Sequence, residues 1–446
     1  MTDARAKARA FYNAIDFDRP INFGQDELVG EGPSDDVYVA SLHGGDGSPD
    51  PIVELANQID LASSAGAYLF TGNRGTGKTT ELMRLAKQLR AFGCEVFYVD
   101  MAEYLLLTQR IEITDFLISM LGALSEKVSA RFGQSVGQAD FFARVWSFLQ
   151  SEVKFDEVSL PAGPLELKAA LVHTPSFKEQ LQNRTRGHVQ TLVKQAREFV
   201  LEVVNLVRAR RADPDQKVVL IVDSVERLRG VGDSKDISEI FKSVETLFGS
   251  HADLLRFTGL SVVYTIPPYL QALAGGLGAR YAGGRIYALP SVHVYECCPE
   301  PGEWPKPSDS GLSKLITIIE RRFAGYVEFF TREQLWRLAQ SSGGDLRDYF
   351  RMLKLAVTRA VSVGLPLGDG AIKDAEDAVR SDMLPIARDD REWLEKIGKS
   401  HKAELDSLER LPNFARLQEG KYVLQYRNGE EWFALHPLLR KELGFG

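Results

Sequence analysis

The sequence predicts an α/β fold: a parallel sheet covered by helices, then a helical module, then a small C-terminal module built on one hairpin. Three observations carry this. Short apolar strands alternate with helix-patterned stretches, first in a strand–loop–helix–strand unit at 67–100 and again from 218 to about 295. Residues 312–380 are helical by pattern. Near the end, Asn428-Gly429 separates two alternating runs, a two-residue hairpin signal.

Residues 1–48 read as a mixed lead-in ending in HGGDGS. A helix is expected from DPIVELANQIDLASS, with Asp50 as N-cap and Pro51 at the first helical position. AYLF (67–70) is the first strand and EVFYVD (95–100) the second. Between them Leu82, Leu85 and Leu89 recur at helical spacing, and Gly93 supplies a stop. Residues 101–217 then separate that strand from VVLIVD, more than a strand–helix connection needs. Part of the excess reads as a hairpin, VKFDEVSL and LELKAALV around a Pro/Gly turn at 161–163, and part as one long helix over 176–211. After 228 the alternation resumes with a helix at about 236–249, the strand LSVVYTI, a helix near YLQALAGGL and a last strand RIYALPSVHVY. Residues 297–311, rich in Pro and polar types, read as a linker. The expected domains are therefore the lead-in 1–48, a sheet domain 49–300 with an insertion at about 112–211, a helical module 312–380 and a C-terminal module 385–446.

The chain has 446 residues, 44% hydrophobic and 26% charged, an ordinary globular balance. A formal net charge of −7 argues against a general polyanion binder. Three cysteines, Cys94, Cys297 and Cys298, with no C-x-x-C spacing, read as reduced thiols. The N-terminus lacks a signal-peptide core, and no run approaches ~18 uninterrupted apolar residues. A cytoplasmic protein without a membrane span is expected.

GNRGTGKTT fits the pattern G-x-x-x-x-G-K-[ST], with a strand before it and a helix after it. Glycines let backbone N–H groups turn inward around a phosphate, and the helix N-terminus favours negative charge. Gly72, Asn73, Arg74, Gly75, Thr76, Gly77, Lys78, Thr79 and Thr80 are the candidate phosphate-binding residues. Lys78 would reach the β- and γ-phosphates and the Thr79 hydroxyl would ligate Mg²⁺. The fold class then becomes a P-loop NTPase domain with appended modules. Asp223 closes an apolar strand and is the candidate second Mg²⁺ partner; a helix N-cap is its plainer alternative. Ser224 follows it, and the next acid is Glu226.

GNRGTGKTT, LIVDSVERL, YTIPP and SGGDLRDYFRML occur in an order that resembles AAA+ and STAND ATPases. The resemblance implies ATP or ADP with Mg²⁺ as ligands, a helical lid at 312–380 and a winged helix at 385–446. It gives Thr265 the place of a polar sensor on the fourth strand and Arg347, in GGDLRDYF, that of a γ-phosphate sensor. Asp223-Ser224-Val225-Glu226 resembles the STAND pattern of acid, small, hydrophobic, acid, which makes Glu226 the water-orienting group. FALHPLLRKEL resembles the closing STAND histidine motif, which would let His436 read bound ADP. Arg280 or Arg285 would serve as an arginine finger in an oligomer. For Glu226, His436, Arg280 and Arg285 an ordinary structural or surface role is the alternative.

Residues 176–211 carry Lys178, Arg184, Arg186, Lys194, Arg197, Arg208, Arg210 and Arg211, a run that could track nucleic-acid phosphates or be a solvated helix face. Glu430 and Glu431 at the hairpin disfavour phosphate contact there. The favoured reading is a slowly hydrolysing ATP switch that controls self-assembly or an effector protein, with stress signalling or defence implied by resemblance. The alternative is a DNA-engaged AAA+ ATPase of the origin-recognition or transposition-helper kind.

Overall fold

The computed structural model describes residues 2–24, 32–43, 50–133, 141–153, 155, 161–228, 234–404, 407–428 and 430–445. In chain order come α1 (Thr2–Ala14), α2 (Pro51–Leu61), β1 (Ala67–Gly72), α3 (Lys78–Ala91) and β2 (Glu95–Asp100). The insertion supplies α4 (Ile113–Phe132), α5 (Phe141–Ser151), α6 (Pro164–His173), α7 (Pro175–Thr185) and α8 (Val189–Arg211). Then follow β3 (Val218–Asp223), α9 (Ser234–Glu245), β4 (Leu260–Ile266), α10 (Tyr269–Leu273) and β5 (Ile286–Leu289). The helical module is α11 (Asp309–Arg322), α12 (Arg332–Ser341), α13 (Leu346–Val363) and α14 (Asp369–Ser381). The chain ends with α15 (Arg388–Ser400), α16 (Leu411–Glu419), β6 (Val423–Asn428) and β7 (Glu430–Leu435). Two compact units result: Leu55–Thr71 with Leu85–Tyr287, and Met1–Glu54 with Gly72–Arg84 and Ala288–Gly446.

The expected α/β fold is present. Five strands form one sheet in the order β2-β3-β4-β1-β5, in which β2 with β3, β3 with β4 and β4 with β1 pair in parallel. Every residue of β1, β3 and β4 is buried, which is why these strands read as unbroken apolar runs instead of alternating ones. The register places Asp100 opposite Asp223 and Phe70 opposite Thr265.

Three local expectations are corrected. LELKAALV is not a strand: it lies in α6, where Pro164 takes an early helical position and Leu167 and Leu171 bury one face four residues apart. Its sequence alternates at Leu165 and Leu167, but Leu, Glu, Lys and Ala are helix formers. The proposed partner strand, 153–160, lies almost wholly outside the described residues. The single helix expected over 176–211 is two, α7 and α8, joined by a 3₁₀ turn at Arg186–His188 that contains Gly187. The last strand stops at Leu289 because Pro290 has no N–H to extend a ladder; Ser291 and Val292 donate instead to Gln425 O and Gly344 O.

In the second unit the lead-in is part of a core. Phe11 of α1 stacks 4.8 Å from Phe323 and lies 5.0 Å from Phe329, within one hydrophobic cluster that runs through the helical module to the hairpin. The hairpin forms as expected, with Asn428 opposite Glu430 and Tyr426 stacked 4.7 Å from Trp432; Gly429 lies outside the described residues. Among the described residues no helix is long and apolar enough to cross a membrane.

Candidate functional site

β1 ends at Gly72 and α3 begins at Lys78, so Asn73–Gly77 form a loop at a helix N-terminus. Gly75 and Gly77 have φ of +94° and +88°, backbone that side-chain-bearing residues rarely adopt. Thr76 Oγ1 donates to Asn73 O at 2.8 Å and closes the loop on itself. The Lys78 ammonium is buried and donates to Gly72 O at 2.9 Å and Asn73 O at 3.0 Å, lying back across the loop. Arg74 is exposed, while Thr79 and Thr80 sit half-buried in the first turn of α3. The loop thus brings a buried cation to a helix N-terminus, an arrangement that suits an anion.

The lead-in braces this helix. Glu81 is buried and accepts from Arg84 Nε at 2.7 Å and from Tyr38 OH at 3.0 Å, and Arg84 also reaches Asp50 Oδ1 at 2.7 Å. Burial pushes the Glu81 carboxyl up against the pull of Arg84. Asp50 meanwhile caps α2 through Ile52 N, as the sequence predicts.

The start of α13 lies against the loop. A Cβ built on Gly75 would fall 2.5 Å from Asp345 Oδ2, one on Gly77 would fall 3.2 Å from Leu346 Cδ1, and Arg347 N donates to Gly75 O at 3.3 Å. Asp345 caps α13 through Asp348 N at 2.8 Å. Lys421, just before the hairpin, reaches Asp345 Oδ1 at 2.7 Å and Asp348 Oδ1 at 2.9 Å, and His436 Nε2 stands 3.5 Å from Asp348 Oδ2. All four are buried. Burial pushes Asp345 up; Asp348 feels burial too, but His436 and Lys421 outweigh it and hold its carboxyl below the usual range. Gly343 and Gly344 permit this junction: a Cβ on the first would meet Leu424 at 2.3 Å, and one on the second would meet Val292 O at 2.1 Å.

Asp345, Asp348 and Lys421 were not singled out from sequence. The N-cap Asp345 followed by Asp348 was a usable signal; Lys421 gave none. The Arg347 side chain lies over Phe17, 5.2 Å from its centroid, and 3.9 Å from Asp18 Oδ1. His436 is fully buried, its Nδ1 accepting from Leu438 N at 3.3 Å.

In the other unit, Asp223 ends β3. Its Oδ1 accepts from Ser224 N and its Oδ2 from Tyr98 OH, both at 2.7 Å. Burial, then the neighbouring Glu226, push its carboxyl up to about 6 against the pull of these bonds. Ser224 is wholly buried at φ +67°. A glutamate there would be strained and would bury its charge. Thr265 is buried on β4 and its Oγ1 accepts from Val225 N at 3.1 Å, holding the turn after Asp223. Arg280 is exposed and donates to Gly249 O at 2.9 Å, and Arg285 lies 4.6 Å over the Tyr287 ring.

The basic run is largely committed to structure. Lys178 is buried 3.3 Å from Asp115, Arg186 pairs with Glu112, and Arg211 bonds Glu95 at 2.6 Å. Arg184 covers the Phe155 ring, Arg197 donates to Asp253 O and Arg208 to Gln216 O.

No family model matches the chain, and no curated protein matches it. Among solved structures it is similar to the ORC2 protein of Aeropyrum pernix in its ADP form, at 12% identity over 88% of this chain and 90% of that one, TM-score 0.36. The Walker-type ATPase PABY2304 of Pyrococcus abyssi is similar at 13% identity over 96% and 99%, TM-score 0.41. Cdc6p from Pyrobaculum aerophilum is similar at 13% identity over 92% and 96%, TM-score 0.35.

Proposed function

We propose that this chain is an ATP-binding, slowly hydrolysing switch of the AAA+/STAND kind, whose nucleotide state controls self-assembly or engagement of an effector protein. The observation that carries the reading is the contact of the phosphate loop with the cap of α13, and of that cap with Lys421. A ligand that alters the loop acts directly on a buried charge cluster shared by the helical module and the C-terminal module, here read as lid and winged helix. A switch requires a contact that its two states make differently, and this one lies directly against the loop that would take the ligand.

In this reading Gly72–Thr80 hold the phosphates, with Lys78 supplying the cation, and Thr265, Arg347 and His436 respond to nucleotide state. Glu226 orients the attacking water, and an arginine such as Arg280 completes the site of a neighbouring copy. For Mg²⁺ the candidates are Thr79 and Asp223. Asp223 suits a cation: it is buried beside Glu226, and a divalent ion would relieve their repulsion. Among the described residues no group of three or more His, Cys, Asp or Glu forms a metal site by itself, so phosphate oxygens and water would complete the shell. Bound Mg²⁺ supplies charge neutralisation at the phosphates.

The test is solution mass by light scattering, with ADP and then with a non-hydrolysable ATP analogue. An ATP-dependent rise in mass is expected. A mass that stays monomeric in both would remove self-assembly and the arginine finger. Salt-sensitive stimulation of hydrolysis by DNA would favour the DNA-engaged alternative, against which the pairing of the basic run weighs.

A further inference from the structure

We propose that Tyr98 is a positioning residue for Asp223, holding its carboxylate in the orientation from which it takes a divalent cation. This rests on the nucleotide reading above. Tyr98 lies on β2 opposite Ile221, two residues before the Asp100–Asp223 pair, so it is the diagonal cross-strand neighbour of Asp223. Its hydroxyl donates to Asp223 Oδ2 at 2.7 Å. The other oxygen, Oδ1, is held by Ser224 N at the same distance.

A carboxylate turns readily about its last torsion, so one bond leaves it free to swing and two opposed bonds do not. A carboxylate oxygen has two lone pairs, so one that accepts a hydrogen bond is still able to ligate a cation. The third acid at this end of the sheet is committed elsewhere: Asp100 Oδ1 accepts from Ala102 N at 2.9 Å. Tyr98 and Asp223 are 5% and 1% exposed, so water offers little to replace a lost hydroxyl.

The test uses the full chain with ADP and Mn²⁺ as probe, following free Mn²⁺ by electron paramagnetic resonance. Tyr98→Phe is expected to weaken Mn²⁺ binding about ten-fold, the usual scale for a group that orients a metal ligand, with metal-free ADP affinity unchanged. Asp223→Asn should weaken it at least as much, and adding Tyr98→Phe to Asp223→Asn should cost nothing further, because Tyr98 acts through Asp223. Wild-type Mn²⁺ affinity in Tyr98→Phe, or an equal loss in the Asp223→Asn background, overturns the proposal. ADP binding with Mn²⁺ affinity untouched by Asp223→Asn overturns it by removing Asp223 as ligand. No ADP binding by the wild type defeats the nucleotide reading itself. Should the Tyr98→Phe variant not fold, 3-fluorotyrosine at this position, a stronger donor, is expected to change Mn²⁺ affinity, and no change would count against the proposal.

Discussion

The carboxylate of Asp345 lies on Gly75, with both oxygens within 2.6 Å of where a Cβ would stand. A helix cap and a glycine-rich loop separated by hundreds of residues are therefore packed too closely for any side chain between them.

Gly75→Ala places a methyl group in that space and asks for φ +94° from an alanine. Loop and cap must separate. Nucleotide affinity is expected to fall about ten-fold, roughly 1.4 kcal/mol. Gly364→Ala, also at positive φ but with nothing within 4 Å, is the control; it carries only the backbone strain, about 1–3 kcal/mol, and should bind nucleotide normally. Equal affinities in the two variants, read by calorimetry, would contradict the role given to this contact.

Lys421→Met removes the cation between Asp345 and Asp348. Asp345 then loses its ammonium partner while Asp348 keeps His436, 3.5 Å away, and a loss of about 3–5 kcal/mol in urea unfolding is expected. Combining it with Asp345→Asn and Asp348→Asn should recover most of that loss. Asn keeps the cap of α13, so the recovery isolates charge from capping.

Asp223 gives a pH signature. Its folded carboxyl titrates near 6 and its unfolded one near 3.8. An acid raised on folding works against the fold. That penalty is fully present above about pH 6, shrinks as pH falls, and is gone below about 3.8. Asp223→Asn should therefore stabilise the ligand-free protein at pH 7.5, by at most about 3 kcal/mol, and have no such effect near pH 4. Thermal melts at the two pH values check this, and a variant less stable at pH 7.5 would refute the sign. The same substitution is expected to abolish ATP turnover.

Lys78→Ala should lose ATP binding with the fold intact. Glu226→Gln should bind ATP normally and turn it over at least ten-fold more slowly, about 1.4 kcal/mol of barrier. Single-turnover rates and ATP titrations separate the two. Full turnover by Glu226→Gln would move the water-orienting acid elsewhere.

The local elements were legible because their causes are local. Buried parallel strands announce themselves as apolar runs, Asp50-Pro51 as a helix start, and GNRGTGKTT as a loop that only glycines can turn. Where the readings failed, neighbours along the chain gave an ambiguous signal: LELKAALV alternates like a strand yet consists of helix formers, and Pro290 cut short a strand that its flanking residues favoured. The partnerships belong to the tertiary structure alone. Tyr98 meets Asp223 across 125 residues and Lys421 meets Asp345 across 76. Side-chain charge in the sequence does not say which acid will be stripped of water and which cation will lie beside it. Burial and distance decide that, and both exist only once the chain has folded.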